Sequence, residues 1–274
     1  MPVVCYEVDG AEVGPEDDVL TVQTYSRAAS NTNFEALLRL VAPSAEPLGA
    51  TVDLFNPGFR FRIPPAEMPV AVELCQAHRP PVVTAITGCT LSVCLDWYAH
   101  PDDSEPPRWI RTELGALVYR GKYQGAEERK ACGPVLAERA ISYVDTHPVL
   151  RAVTGVAPVP SSQVIGPAEP GLVRGIATLL ARHLGVPIVN LERVHETAIA
   201  QKALGRNDDA DGNQAGTMRS DDVAGGSILA IDDLMRHGST VSEAARALRS
   251  AGAKDAHSLT LVKERTGTRG YAFA

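Results

Sequence analysis
Aromatic side chains are scarce: Phe, Trp and Tyr make up 5% of the 274 residues, so the core must be filled mainly by Leu, Val, Ile and Ala. A basic excess is also missing. Lys and Arg number 26 against 33 Asp and Glu, a net charge of -7, which argues against a protein that coats nucleic acid or an anionic membrane. A local basic pocket for a small anion is compatible with that balance. No apolar run approaches the roughly 20 residues of a membrane helix, and the start, MPVVCYEVDGAE, has no basic stretch before an apolar block, so it does not read as a secretory signal. The five cysteines, Cys5, Cys75, Cys89, Cys94 and Cys132, are odd in number and scattered, unlike a small disulfide scaffold. A reducing cytoplasm is the expected location. Cys89 and Cys94, with His78 and His100, could supply zinc ligands, but ordinary free thiols are the simpler reading.

What is present is a globular composition, 45% hydrophobic and 22% charged. At about 150 residues per domain the length suits two domains, or one with a substantial extension. Residues 1–108 are uneven. TVDLFNPGFRFRIPP suggests an extended stretch broken by Pro and Gly, and PPVVTAITG suggests a short strand near Val82. HPDDSEPPR, His100 to Arg108, reads as a loop and a domain boundary, with a second domain over 109–274. In EERKACGPVLAERAISYV, Val135, Ala137, Ile141 and Val144 could line a helix face, although Gly133 and Pro134 argue against one unbroken helix.

From Val149 the pattern is more regular. VTGVAPVPSS reads as a strand ending in a loop, GLVRGIATLLARHLG as a helix with Leu172, Ile176, Leu179 and Leu180 on one face, and VPIVNLERV as another strand. AIAQKALGRNDDADGNQAGTM reads as a long polar loop. Ile228 to Ile231 suit a central parallel strand, followed by Asp232 and Asp233, a glycine turn and a helix with Val241, Ala244, Ala245 and Leu248 on its apolar face. Ser239 or Thr240 can cap that helix and Gly252 can stop it. Ser258 to Val262 supplies the next strand of a βαβ unit.

Adjacent carboxylates at the carboxyl end of a parallel strand lose hydration if buried without partners, and that end is where open α/β sheets bind ligands. They can engage neighbouring sugar hydroxyls or hold Mg2+ indirectly, or serve only as a turn and capping device. Leu234 to Thr240 then offers backbone N–H groups, Gly238, two hydroxyls and the positive end of a helix, a combination suited to a phosphate monoester. The dinucleotide fingerprint GxGxxG and the phosphate loop GxxxxGK[ST] are absent.

Ile228–Thr240 resembles the phosphoribosyl pyrophosphate motif of type I phosphoribosyltransferases: apolar strand, two acids, short loop, Thr-Gly-x-Thr. YRGKYQG at Tyr119–Gly125, APVPSS at Ala157–Ser162, LLARHLGVPI at Leu179–Ile188, Gln201, Leu204 and ARALRSAGA at Ala245–Ala253 are similar to the ComF-like branch, so the likeness spans roughly 113–265. The resemblance implies an α/β fold with a parallel sheet flanked by helices and a divergent N-terminal region that helps select an acceptor. It implies Mg2+-dependent transfer of a phosphoribosyl group to a base or amine, with release of pyrophosphate. Asp232 and Asp233 would hold the ribose hydroxyls. Arg236, His237, Gly238, Ser239 and Thr240 would hold the 5-phosphate, and Ser161 and Ser162 would stand in the loop that meets pyrophosphate. Lys202, Lys263 and Arg265 are candidate cations for substrate, and Lys263 joins the two acids as a candidate catalytic residue. Mg2+ would be held mainly by substrate oxygens and water, with Asp232 or Asp233 contributing.

This sequence departs from the motif in placing His237 where Thr usually precedes the glycine, with Arg236 before it. The cysteine-rich zinc element of the ComF-like branch is absent from its N-terminal region. A non-catalytic phosphoribosyl pyrophosphate- or nucleotide-binding regulator, or a DNA-uptake accessory, is the alternative function. The resemblance allows a homodimer; neither a membrane nor nucleic acid is an expected partner.

Overall fold
The structure, a computed structural model, describes residues 5–6, 8–13, 18–24, 31–50, 58–77, 82–84, 86–101, 108–161, 171–195 and 214–264. The protein divides into two compact units, Met1–Ala85 with Ser142–Ala152, and Ile86–Ile141 with Val153–Ala274. The boundary expected at residue 109 falls inside the second of these units.

In the first unit β1 (Cys5–Tyr6) pairs antiparallel with β6 (Val82–Thr84), at the position where a short strand is expected. An antiparallel sheet is built from β2 (Val8–Val13), β3 (Val19–Thr24), β4 (Glu46–Ala50) and β5 (Gly58–Arg62), in the order β2-β3-β5-β4. Alternation gives β3 a buried face, Leu20 and Val22, and Phe61 of β5 joins them. Helix α1 (Asn31–Leu38) lies against β4, and α2 (Met68–Ala77) covers β2 and β3 with Ala71, Leu74 and Cys75 buried.

The second unit is the α/β layer structure. Its sheet runs β7 (Leu91–Trp97), β14 (Asp255–Lys263), β13 (Ser227–Met235), β10 (Gly155–Pro158), all parallel. Helix α3 (Glu113–Tyr123) packs on β14 and β7, α5 (Leu172–Leu184) on β10 and β13, and α6 (Ser239–Ser250) on β13 and β14. The short hairpin of β8 (Ala99–Pro101) and β9 (Trp109–Arg111) precedes α3. β11 (Leu191–Arg193) and β12 (Met218–Ser220) form a separate antiparallel ribbon, so VPIVNLERV gives no further strand to the sheet, only a single bridge from Ile188 to Val156.

Local patterns explain most of these elements and fail at identifiable places. Val241, Ala244, Ala245 and Leu248 are buried on α6, and Leu172, Ile176 and Leu180 on α5. Helix α4 (Ala126–Thr146) runs unbroken through Pro134. Its buried positions are Cys132, Leu136, Ala137, Ala140 and Val144, while Val135 is exposed, so the apolar stripe is displaced from the expected one. Pro134 interrupts one helical hydrogen bond, and four buried side chains beyond it outweigh that loss. His100 and Pro101 lie in β8 instead of a loop; residues 102–107 fall outside the described set. Strand β13 does not end at Ile231. It carries both acids and continues to Met235, because the parallel ladder pairs Asp232 with Thr260 and Leu234 with Val262.

Helix α3 is fixed by its first turn. Thr112 accepts a hydrogen bond from the Gly115 amide at 3.0 Å and donates to the Trp97 carbonyl at 2.7 Å. A Cβ on Gly115 would lie 2.0 Å from the Tyr98 carbonyl oxygen, so only glycine permits this approach. Arg111 adds a cation–π contact, its guanidinium 4.0 Å from the Tyr119 ring centre.

Glycine to alanine in a helix ordinarily stabilises by roughly 0.5–1 kcal/mol. Among the described residues nothing lies within 4 Å of a Cβ built on Gly175 of α5, and Gly175→Ala is expected to gain that amount in urea denaturation. Gly115→Ala is expected to have the opposite sign, a loss of about 1–3 kcal/mol from overpacking against backbone.

Candidate functional site
The site is built at the carboxyl end of β13. Asp232 and Asp233 are consecutive residues of an extended strand and cannot both face one side. The Asp232 carboxylate accepts the Asp233 backbone N–H at 2.8 Å, and Asp233, only 7% exposed, takes an ion pair from Lys122 Nζ at 2.6 Å. Lys122 stands seven residues after Gly115, about two helical turns, hence on the face of α3 that meets the sheet end. Burial acts to lower the Lys122 pKa, but Asp233 and then Asp232 outweigh it, so the ammonium titrates above its usual value. Asp232 is pushed up to about 7, first by desolvation and then by the charge of Asp233, with Lys122 and Arg193 opposing.

After Met235 the backbone turns through Arg236, His237 and Gly238 into α6. Gly238 is the N-cap, at φ +86°, a left-handed conformation that favours glycine. The N-cap is thus Gly238 and not Ser239 or Thr240 as expected; both lie within the first turn of the helix, with Ser239 buried. The loop and first turn, Leu234–Val241 with Asp232, line a cavity of about 60 Å3. The opening amides of α6 have no intrahelical acceptor, which makes this end favourable for an anion. His237 is exposed. Lys263, 3% exposed, donates from Nζ to the Arg236 carbonyl at 3.2 Å, and the Arg236 guanidinium pairs through Nε with the Glu264 carboxylate.

The sheet register brings a second loop to the same end. Pro158 pairs with Ile231, and the Val159 amide donates to the Ile231 carbonyl at 2.9 Å, so Pro160 and exposed Ser161 emerge beside the acids. Ser162, Lys202 and Arg265, like Gln201, Leu204 and His78, lie outside the described residues. Arg174, His183 and His195 are exposed. Cys75, Cys89, Cys94 and Cys132 are thiols outside any disulfide, with Cys94 Sγ 3.8 Å from Met235 Sδ.

Two groups escape sequence reasoning. Lys122 reaches Asp233 from 111 residues away; YRGKYQG carries it, but no local spacing announces that contact. Arg193, at the end of β11, donates to Thr217 Oγ1 at 3.0 Å and Gln214 Oε1 at 3.3 Å, and its positive charge favours the ionised form of Asp232. Burial lowers the Arg193 pKa, with Glu243 and Asp232 opposing. Glu243 of α6 ties down the ribbon by accepting the Met218 amide at 3.0 Å while it pairs with Arg246.

Among the described residues no cluster of three or more His, Cys, Asp or Glu side chains could hold a metal ion unaided. Two adjacent carboxylates, one already engaged by Lys122, fit a hard Mg2+ whose remaining oxygen ligands come from substrate and water. No helix among the described residues is long and apolar enough to cross a membrane.

Residues 159–270 match the family model described as the phosphoribosyl transferase domain. No curated protein matches the sequence. Among solved structures, UMP synthase of Leishmania donovani is 20% identical over 76% of this chain and 35% of its own, with a TM-score of 0.33. The protein thus spans about a third of that enzyme's length. Adenine phosphoribosyltransferase of Leishmania tarentolae is 12% identical over 57% of this chain and 90% of its own, at 0.34. A purine phosphoribosyltransferase from Pyrococcus horikoshii is 14% identical, covering 57% and 86%, at 0.28. The α/β fold, a parallel sheet flanked by helices, is consistent with a phosphoribosyltransferase-like fold over the matched residues.

The acid pair makes stability depend on pH. Folded Asp232 keeps its proton up to about 7, whereas the unfolded protein releases it near 3.8, so folding takes up a proton between those values. Stability due to this group therefore falls as pH rises from about 4 to 7. Asp232→Asn removes the fall: in metal-free buffer it should match the parent near pH 4 and exceed it by about 1–3 kcal/mol at pH 8. Lys122→Met should do the reverse at pH 8, losing about 1–3 kcal/mol by stranding the Asp233 carboxylate, with a smaller loss in acid.

Proposed function
We propose that the protein is a Mg2+-dependent phosphoribosyltransferase that moves the phosphoribosyl group of phosphoribosyl pyrophosphate to a base or amine acceptor. One observation carries this reading: an acid pair and, directly after it, an anion-favouring loop share one strand–turn–helix unit, within the region that matches the phosphoribosyl transferase domain. The ribose hydroxyls donate to Asp232 and Asp233. The 5-phosphate is received by the opening amides of α6 with Ser239, Thr240 and Arg236, and the pyrophosphate is met by the loop at Ser161 and Ser162. Lys202 and Arg265 complete the substrate contacts, and Lys263 holds the loop. Asp232 or Asp233, with substrate oxygens and water, would hold Mg2+, which would supply positive charge against that of the departing pyrophosphate.

The reaction breaks the bond from the anomeric carbon to pyrophosphate oxygen, which leaves with the electron pair. A bond to the acceptor nitrogen forms, and the acceptor's proton passes to solvent. The protein's share is positioning and electrostatics, with the acid pair beside the positive charge that develops on the ribose ring. ComF-like affinity, a cytoplasmic location, a homodimer and an acceptor-selecting role for residues 1–108 belong to this reading. The competing reading, a binder without turnover, is favoured by Lys122, which already occupies Asp233.

Incubation with Mg2+, phosphoribosyl pyrophosphate and a panel of bases and amines should release pyrophosphate with one acceptor class; binding without release against every acceptor would favour the regulator. Replacing both Asp232 and Asp233 with Asn should weaken phosphoribosyl pyrophosphate binding at least tenfold by calorimetry while the protein stays folded. Unchanged Mg2+-dependent affinity would overturn the ribose assignment. The single changes need not add, because the two acids share one site.

A further inference from the structure
The anion loop contains an arginine that is only half used. Arg236 pairs through Nε with Glu264, while its Nη1 is buried with no hydrogen-bond partner among the described residues. A buried guanidinium nitrogen without an acceptor is costly, and the fork geometry of the group suits an oxyanion. Arg236 also lines the cavity at the head of α6. The last residue of β14 and the one after it hold this loop in three ways. The Glu264 amide donates to the Met235 carbonyl at 2.8 Å, Lys263 Nζ donates to the Arg236 carbonyl at 3.2 Å, and the Glu264 carboxylate takes the guanidinium. In a trans peptide the carbonyl and the next N–H point to opposite sides. Lys263 on the Arg236 carbonyl therefore sets the His237 N–H toward the other side of the loop.

We propose that Glu264 is a positioning residue for an arginine phosphate clamp: it grips Arg236 by one edge and leaves Nη1 to donate to the phosphate of a ribose phosphate seated in the cavity. This rests on the proposed function and deepens it. The clamp takes the place of the threonine hydroxyl that Thr-Gly-x-Thr supplies and that His237 does not. A free arginine would have to be ordered on binding, with loss of side-chain entropy, whereas Glu264 keeps it in place beforehand. The bond Nη1 offers is charge-assisted.

The test titrates the intact protein with inorganic phosphate, ribose 5-phosphate, phosphoribosyl pyrophosphate and ribose, using Arg236→Ala, Glu264→Ala, Glu264→Gln and the double alanine variant, each checked for an unchanged melting transition. Arg236→Ala and Glu264→Ala should each weaken phosphate and ribose 5-phosphate about tenfold and leave ribose unaffected. The double variant should be no worse than Arg236→Ala, since Glu264 acts through Arg236. Glu264→Gln, which keeps an acceptor for Nε, should recover most of the affinity. Tighter phosphate binding by Glu264→Ala would overturn the clamp by showing that Glu264 neutralises Arg236; additive losses, or equal losses for ribose, would overturn it as well. A parent that binds phosphate but not phosphoribosyl pyrophosphate removes the proposed function and leaves the clamp. A parent that binds phosphoribosyl pyrophosphate with no effect of Glu264→Ala removes the clamp and leaves the function. Binding of neither removes both.

Discussion
Two consecutive carboxylates at the end of a parallel strand repel each other and lose water, and the compensating charge is not on that strand. The positive charge has to come from elsewhere in the sequence. Lys122 supplies it by direct contact, and Arg193 supplies more through the field it exerts on Asp232. The placement of α3 follows from this need: a threonine cap on Trp97, a glycine pressed against Tyr98 and an arginine stacked on Tyr119 fix a helix whose lysine reaches the acids. With one acid tied to lysine and the other holding a proton up to about 7, the pair carries less negative charge than two aspartates suggest.

The loop at the head of α6 is arranged differently. There the cations come first, Arg236 in the loop and Lys263 behind it, with Glu264 as the carboxylate partner of Arg236. One strand end thus carries an acid-rich half suited to hydroxyls and a cation-rich half suited to phosphate.

The βαβ unit was legible in the sequence because its signals are local. Ile228–Ile231 is an uninterrupted apolar run, Val241 to Leu248 repeats with the helical period, and the acid pair with its glycine loop is contiguous. Legibility ended where distant contacts decide the outcome. Asp232 and Leu234 stay in the strand because Thr260 and Val262 pair with them, although a polar pair reads as a strand end. Strand β7 mixes Ser92, Cys94 and Asp96 with apolar residues and shows its nature only once β14 lies beside it. The partners of the candidate site, Lys122 on Asp233 and Glu264 on Arg236, are side-chain meetings between separate elements, and no periodicity encodes them.

The seven-residue interval from Gly115 to Lys122 has a consequence for how the length of this protein is able to vary. A residue inserted or deleted within it would swing Lys122 about 100° around the helix and away from Asp233. Upstream of Thr112, where β8 and β9 form a short hairpin, length can drift without turning the helix, because the phase is reset at the cap. Insertions and deletions among natural variants of this sequence should therefore gather before Thr112 and avoid the interval after Gly115, a boundary set by helical phase alone.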